Sequence, residues 1–241
     1  MQIALDEGYQ FGLGVFETIS VERGIPLLLP WHLQRLHASM EVLEISQSVT
    51  EPDVLSWLSG QDAQHHALKI MASSENLLFM LRPNPYTPAQ IQAGFRLAYS
   101  NVYRNETSPL VRHKTLNYGD CILEKRRAKT LGVDELLFLN SRGEICEGTT
   151  TNIFFASEGK LYTPPVSSGL LPGIMRRFIL THFPVTELPL KREDAQKMEE
   201  CFVTNSLMGV MPVTALEQKE YSKGSITQSC MEAYRSSCNV F

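Results

Sequence analysis

Residues 103–115, YRNETSPLVRHKT, have few periodic apolar positions and lie between two stretches that both alternate strand and helix patterns. A break of this kind in the middle of 241 residues divides the chain into two lobes joined by a connector. The expected division is a small N-terminal α/β domain over 1–98, a connector over 99–113 and a larger α/β domain over 114–241. The whole is α/β (α+β) in class, and no internal repeat is present.

The lobes can be read element by element. VFETISVERGIPLLL alternates apolar and polar residues about Glu22-Arg23-Gly24, the pattern of a β-hairpin. Pro30 stands where a helical first turn tolerates it, and WHLQRLHASMEVLEI carries apolar residues at helical spacing. Residues 56–66 read as helix then loop. HALKIMAS and NLLFMLRP are strands about an SSEN turn, and FRLAYSNV is a third strand after the proline-rich PNPYTP. Beyond the connector, YGDCILEKRRAKTLG is a helix stopped at Gly132, and DELLFLNSRGEICEG is a hairpin turning at Ser141-Arg142-Gly143. A strand at TNIFFAS, helices at GIMRRFILTHF and REDAQKM, and a strand at ECFVTN complete the second lobe.

Net charge of −4 with scattered basic residues argues against nucleic acid as a partner. The longest apolar run, around IPLLLP, is too short to span a bilayer, and MQIALDEGYQFG lacks the pattern of a secretion signal. Five cysteines without a C-x-x-C pair read as free thiols in a reducing compartment, so the expected location is the cytoplasm. No metal site is expected.

Four segments carry chemistry. Lys114 opens KTLNYGD, and 147 − 114 = 33 positions later Glu147 follows a predicted strand and precedes Gly148. Arg112 and His113, if buried beside Lys114, would make its amine more nucleophilic. The GTTTN run crowds hydroxyls and an amide into a turn that Asn152 can lock by bonding the backbone. SGLLPGI sets glycines ahead of a helix, where free N–H groups favour an anion, and TNSLMG offers further donors at a strand end. Arg35, in the first-lobe helix, is a charge partner for the same anion. A lysine able to form a Schiff base, a carboxylate for a pyridine nitrogen and two phosphate loops together suit pyridoxal 5'-phosphate (PLP).

These segments resemble the class IV (fold type IV) PLP enzymes: branched-chain aminotransferases, D-amino acid aminotransferases and aminodeoxychorismate lyases. The likeness runs through YQFGLGVFET, HLQRLHAS, KTLNYGD, DELLFLNSRGEICEGTTTNIFF, GLLPGIMR and FVTNSLMGVMPV, in the family's order. It implies a two-lobe fold like D-amino acid aminotransferase, with PLP at the lobe interface, and a homodimer acting on a small-molecule amine. Lys114 would be the Schiff-base lysine and the base, and Glu147 the partner of the pyridine nitrogen. Arg35, the backbone at Gly173, Ile174 and Met175, and the Asn205-Ser206 turn would hold the phosphate. Leu171 would pack on a ring face, and Tyr118 would meet the cofactor's phenolic oxygen or orient Lys114. Tyr103 and Arg104 are candidates for the substrate side.

KTLNY and FVTNSLMGVMPV are more similar to the lyase than to the transaminases, which carry Thr-Gly-Thr or Ser-Ser-Thr where this chain has Thr204-Asn205-Ser206. The expected reaction is elimination of pyruvate from 4-amino-4-deoxychorismate to give 4-aminobenzoate, a step of folate biosynthesis. The alternatives are an amino acid aminotransferase of branched-chain or D-amino acid type, and a PLP-binding homologue without turnover. The last rests on two departures from the family pattern: Leu13 stands where the family has Asp in Phe-Gly-Asp-Gly, and the first strand with its Asn-Gly turn is absent.

Overall fold

The computed structural model describes residues 2–238. The chain divides into two compact units, 1–85 with 113–118, and 86–112 with 119–241.

Unit 1 begins with a short helix α1 (Glu7–Phe11), capped by Asp6, and continues into β1 (Val15–Glu22) and β2 (Ile25–Pro26). Helices α2 (Leu29–Val42) and α3 (Glu51–Ser59) follow, then strands β3 (His65–Ala72) and β4 (Leu77–Pro83). The four strands form one sheet in the order β2-β1-β3-β4, antiparallel where β1 meets β2 and β3, and β3 meets β4. Strand pleating sends alternate residues to opposite faces. Val15, Ile19 and Val21 of β1 therefore join Leu68 and Ile70 of β3 in a core with Leu29, Leu33, Leu36 and Met40 of α2. Those four helical positions step by 4, 3 and 4, the spacing that keeps one stripe against a sheet. Helix α3 starts at a capping box in which Thr50 and Asp53 satisfy each other's backbone N–H groups.

Unit 2 contains α4 (Pro88–Ala93), β5 (Phe95–Arg104), α5 (Gly119–Thr130), β6 (Glu135–Asn140), β7 (Ile145–Gly148), β8 (Asn152–Ser157) and β9 (Lys160–Thr163). A 3-10 turn at Val166–Ser168 leads to α6 (Ile174–His182), β10 (Val185–Glu187), α7 (Arg192–Ala195), β11 (Glu200–Asn205), β12 (Gly209–Leu216), β13 (Lys219–Glu220) and α8 (Ser225–Cys238). One mixed sheet runs β10-β9-β8-β11-β12-β5-β6-β7, with β13 on β12. Its inner strands are covered on both faces: all six residues of β6, Glu135 and Asn140 included, are buried.

Two boundaries differ from those expected of the sequence. Residues 99–104 belong to β5, a strand between β12 and β6 inside the larger sheet, not to a connector. Exposed Asn101 and Tyr103 interrupt its apolar pattern and hide the strand end. The short run 113–118 groups with unit 1 because Thr115 bridges Val15, Phe16 donates its N–H to the Lys114 carbonyl and Leu116 donates to the Gly14 carbonyl, both at 2.8 Å. Lys114 therefore lies in the smaller unit rather than in the larger domain. No helix of the described residues is long and apolar enough to cross a membrane.

Candidate functional site

In unit 1, pairing across the sheet brings Phe16 opposite Met71 and Thr18 opposite Lys69, on the face away from the α2 core. The Lys114 Nζ lies 4.4 Å from the centre of the Phe16 ring and 5.2 Å from that of Tyr118, which meets Phe16 edge-on at 5.3 Å. The Lys69 Nζ stands 4.6 Å from the same Phe16 ring. Two ammonium groups thus share one aromatic ring, held by its quadrupole. Burial, and then the nearby Arg82, lower the Lys69 pKa from its ordinary value. Sequence reading does not single out Lys69, since the signal for it is the cross-strand register.

The expected neighbours of Lys114 behave otherwise. Arg112 is exposed, and the His113 ring reaches Ser39 on α2 at 3.0 Å.

On the α2 side of the same sheet stands a second cluster. Buried Glu17 accepts from Arg35 Nε and Nη2, each at 2.7 Å, and pairs with His32 Nδ1 at 2.7 Å. The Arg35 contact is the two-pronged form that fixes a guanidinium plane. Burial alone would raise the Glu17 pKa; the Arg35 guanidinium and His32 outweigh it and bring the carboxyl down to about 2. Burial pushes the His32 imidazole the other way, below its ordinary value, against the attraction of Glu17.

In unit 2, Glu147 sits near the end of β7 with a buried carboxylate. It accepts from Arg104 Nη2 at 2.7 Å and from the Leu171 N–H at 3.1 Å. Arg104 also lies 4.6 Å from the Phe138 ring and donates to Cys121 Sγ at 3.1 Å. The guanidinium of Arg104, expected on the substrate side, is thus engaged by the buried carboxylate. Tyr103, its neighbour on β5, points outward and is 62% exposed.

The Leu171 contact joins Glu147 to the loop ahead of α6. Asn152 Nδ2 donates to the Leu171 carbonyl at 2.9 Å, so Asn152 locks this loop and not its own threonine turn. Leu170 is buried while Leu171 is only half-buried, which leaves its side chain a free face. Gly173 caps α6 without any side-chain bond to the helix, and a Cβ there would collide with Asn152 Oδ1. The first N–H groups of α6, at Ile174 and Met175, follow directly. At the end of β11, Asn205 Oδ1 accepts the Leu207 and Met208 N–H groups, both at 3.0 Å, and folds the Asn205-Ser206 turn. Beside that turn, the buried Thr204 Oγ1 has no hydrogen-bond partner among the described residues.

In unit 1, Lys114 and Tyr118 thus meet at the Phe16 ring while Arg35 is held by Glu17, and unit 2 carries Glu147, Leu171, Gly173, Ile174, Met175, Asn205 and Ser206. The chain is 27% identical to the aminodeoxychorismate lyase of Bacillus subtilis (strain 168), over 91% of this chain and 83% of that one. It is 25% identical to a D-alanine aminotransferase of Bacillus licheniformis, over 91% and 84%. Among solved structures, the branched-chain amino acid aminotransferase of Escherichia coli has the same fold, with a TM-score of 0.88 at 20% identity over 98% of this chain and 90% of that one. The α/β fold is that of the fold type IV PLP enzymes. Residues 14–216 match the model of amino-transferase class IV, and the chain belongs to that family of PLP-dependent enzymes.

Proposed function

We propose that this chain is a PLP-dependent 4-amino-4-deoxychorismate lyase, which expels pyruvate from its substrate and releases 4-aminobenzoate for folate synthesis. The observation that carries the cofactor reading is the Leu171–Glu147 hydrogen bond at 3.1 Å, which ties the carboxylate for a pyridine nitrogen to the loop for a phosphate. Three features fit the group: the buried carboxylate, the collision-tight glycine at the α6 start, and the unpartnered Thr204 hydroxyl beside the Asn205-Ser206 turn.

PLP, when bound, supplies an electron sink conjugated to the substrate amine. The chain's own groups do the rest. Lys114 would hold the cofactor through Nζ and would accept a proton there from the substrate carbon bearing the amine. Phe16 and Tyr118, with ring centres 4.4 and 5.2 Å from Nζ, keep that nitrogen oriented. Glu147 keeps the pyridine nitrogen protonated, and Arg104 fixes the carboxylate for that purpose. Arg35, the α6 N–H groups and the Asn205-Ser206 turn bind the phosphate, with Leu171 on a ring face. Lys69 offers a cation to a substrate carboxylate, beside the ring that Lys114 shares.

The Bacillus subtilis relative and the Thr204-Asn205-Ser206 turn support the lyase branch. The aminotransferase reading is favoured by the Bacillus licheniformis relative, and Lys114 and Glu147 serve it equally. One assay separates the two. Purified chain given 4-amino-4-deoxychorismate should yield pyruvate and 4-aminobenzoate with no added keto acid. Amino transfer that depends on a keto acid would instead establish the aminotransferase. Protein that stays colourless after incubation with PLP would overturn both. A homodimer in the cytoplasm completes the proposal, its oligomeric state measurable by analytical ultracentrifugation.

A further inference from the structure

The GTTTN run holds more polar groups than a surface turn requires. All three of its threonines face one carboxylate, that of Glu135 at the start of β6, which is fully buried. Its Oε1 accepts the Thr149 N–H at 3.1 Å and the Thr149 hydroxyl, as well as the Leu136 N–H at 3.1 Å. Its Oε2 accepts the Thr150 N–H at 3.3 Å and the Thr150 hydroxyl at 3.0 Å, with the Thr151 hydroxyl at 3.5 Å and Lys125 Nζ at 3.4 Å. The residue between Glu147 and this turn is Gly148. A Cβ there would overlap Thr151 Oγ1 and lie 2.9 Å from Glu135 Cγ, so the backbone at Gly148 is pressed directly on the Glu135 side chain.

We infer that Glu135 is the positioning residue that fixes the exit of β7 and so aims the Glu147 carboxylate at its partners. Its two oxygens gather the donors of the turn, and the missing side chain at 148 lets the strand end close down on it. The Thr149 N–H is shared with the Leu136 carbonyl at 3.1 Å, but the Thr149 and Thr150 hydroxyls both donate to Glu135. An amide at 135 would set its NH2 against N–H and O–H groups and spread the turn. The functional consequence rests on the role proposed above for Glu147; the structural one does not.

The test is Glu135→Gln in the full chain, followed by amide hydrogen exchange at single-residue resolution by NMR, with and without PLP. The amides of Thr149 and Thr150 should exchange faster, and so should that of Leu171, which donates to Glu147. The expected change at Leu171 is about ten-fold or more, as local opening sets exchange. Faster exchange confined to the turn, with Leu171 unchanged, overturns the inference. Thr87→Ala, which loosens the α4 cap elsewhere in unit 2, should leave Leu171 unaffected. Thr150→Val keeps Glu135 and removes one donor; should Glu135→Gln fail to fold, the same Leu171 readout on this variant decides between the two outcomes. With PLP and substrate, kcat should fall roughly ten- to hundred-fold while KM changes little, since a reacting group displaced by about 1 Å costs up to that much. The visible absorption band of the bound cofactor should shift toward that of Glu147→Gln. A wild type that takes up no PLP would sink the functional proposal alone, because exchange without cofactor still tests the positioning role of Glu135.

Discussion

Glu17 holds two basic side chains at once, and the way it does so makes unit 1 sensitive to pH. Its carboxyl titrates at about 2 in the folded chain against 4.5 as an unperturbed glutamic acid. A lowered carboxylate pKa means that the unfolded chain binds more protons in that window, so the stabilisation is present above pH 4.5 and is lost as pH falls through about 2. The His32 pKa is also lowered, so its contribution has the same sign, present above 6.5 and declining below it. Thermal melts of wild type and Glu17→Gln should therefore differ most near neutrality and converge as pH drops toward about 2. Parallel curves would show that the cluster does not titrate with folding. Lys114→Ala should abolish the visible absorption band of PLP-treated protein while lowering the melting temperature by no more than a few degrees. Its ammonium packs on two rings, and contacts of that kind contribute about 1 kcal/mol each at most sites.

At the scale of elements, the loop ahead of α6 depends on a glycine. Gly173→Ala pushes a methyl group into Asn152, whose amide holds the Leu171 carbonyl. Affinity for PLP, followed by titration of the absorption band, should fall about ten-fold or more, as expected when the donors at a helix start move off an anion. Thr50→Ala, at the start of α3, should cost about 1 kcal/mol of stability with PLP affinity unchanged, the usual effect of a lost N-cap. These elements differ in how they announce themselves in the sequence. Lys114, Glu147 and the two glycine- and hydroxyl-rich loops are contiguous runs, and a run carries its own chemistry. Glu135 acts on a turn fourteen residues away, and Lys69 gains its meaning from a strand pairing, so neither is marked by its neighbours. Strand β12 contains Pro212, a residue that argues against a central strand, yet it lies between β11 and β5 with a bulge just beyond the proline. Helix α8 buries Thr227, Cys230 and Tyr234, too mixed a stripe to stand out as an apolar face.

For the whole molecule, the two-unit division follows from hydrogen bonding more than from composition. The break at 103–115 is visible in the sequence, but the assignment of its last residues to unit 1 depends on bridges made by Thr115 and Leu116. A fragment of residues 1–85 would leave the start of β1 without that partner. It should melt at a lower temperature and less cooperatively than the same fragment with 113–118 appended through a flexible linker, as circular dichroism would register. Equal melting would mean that the run contributes nothing to unit 1. The bridge between Val15 and Thr115 spans 115 − 15 = 100 residues. During synthesis the first lobe therefore leaves the ribosome unfinished, and it waits while β5 and the residues after it are made. The segment bearing Lys114 is the last piece of that lobe to arrive, so a nascent chain stalled before residue 113 carries neither the lysine nor a completed β1 edge.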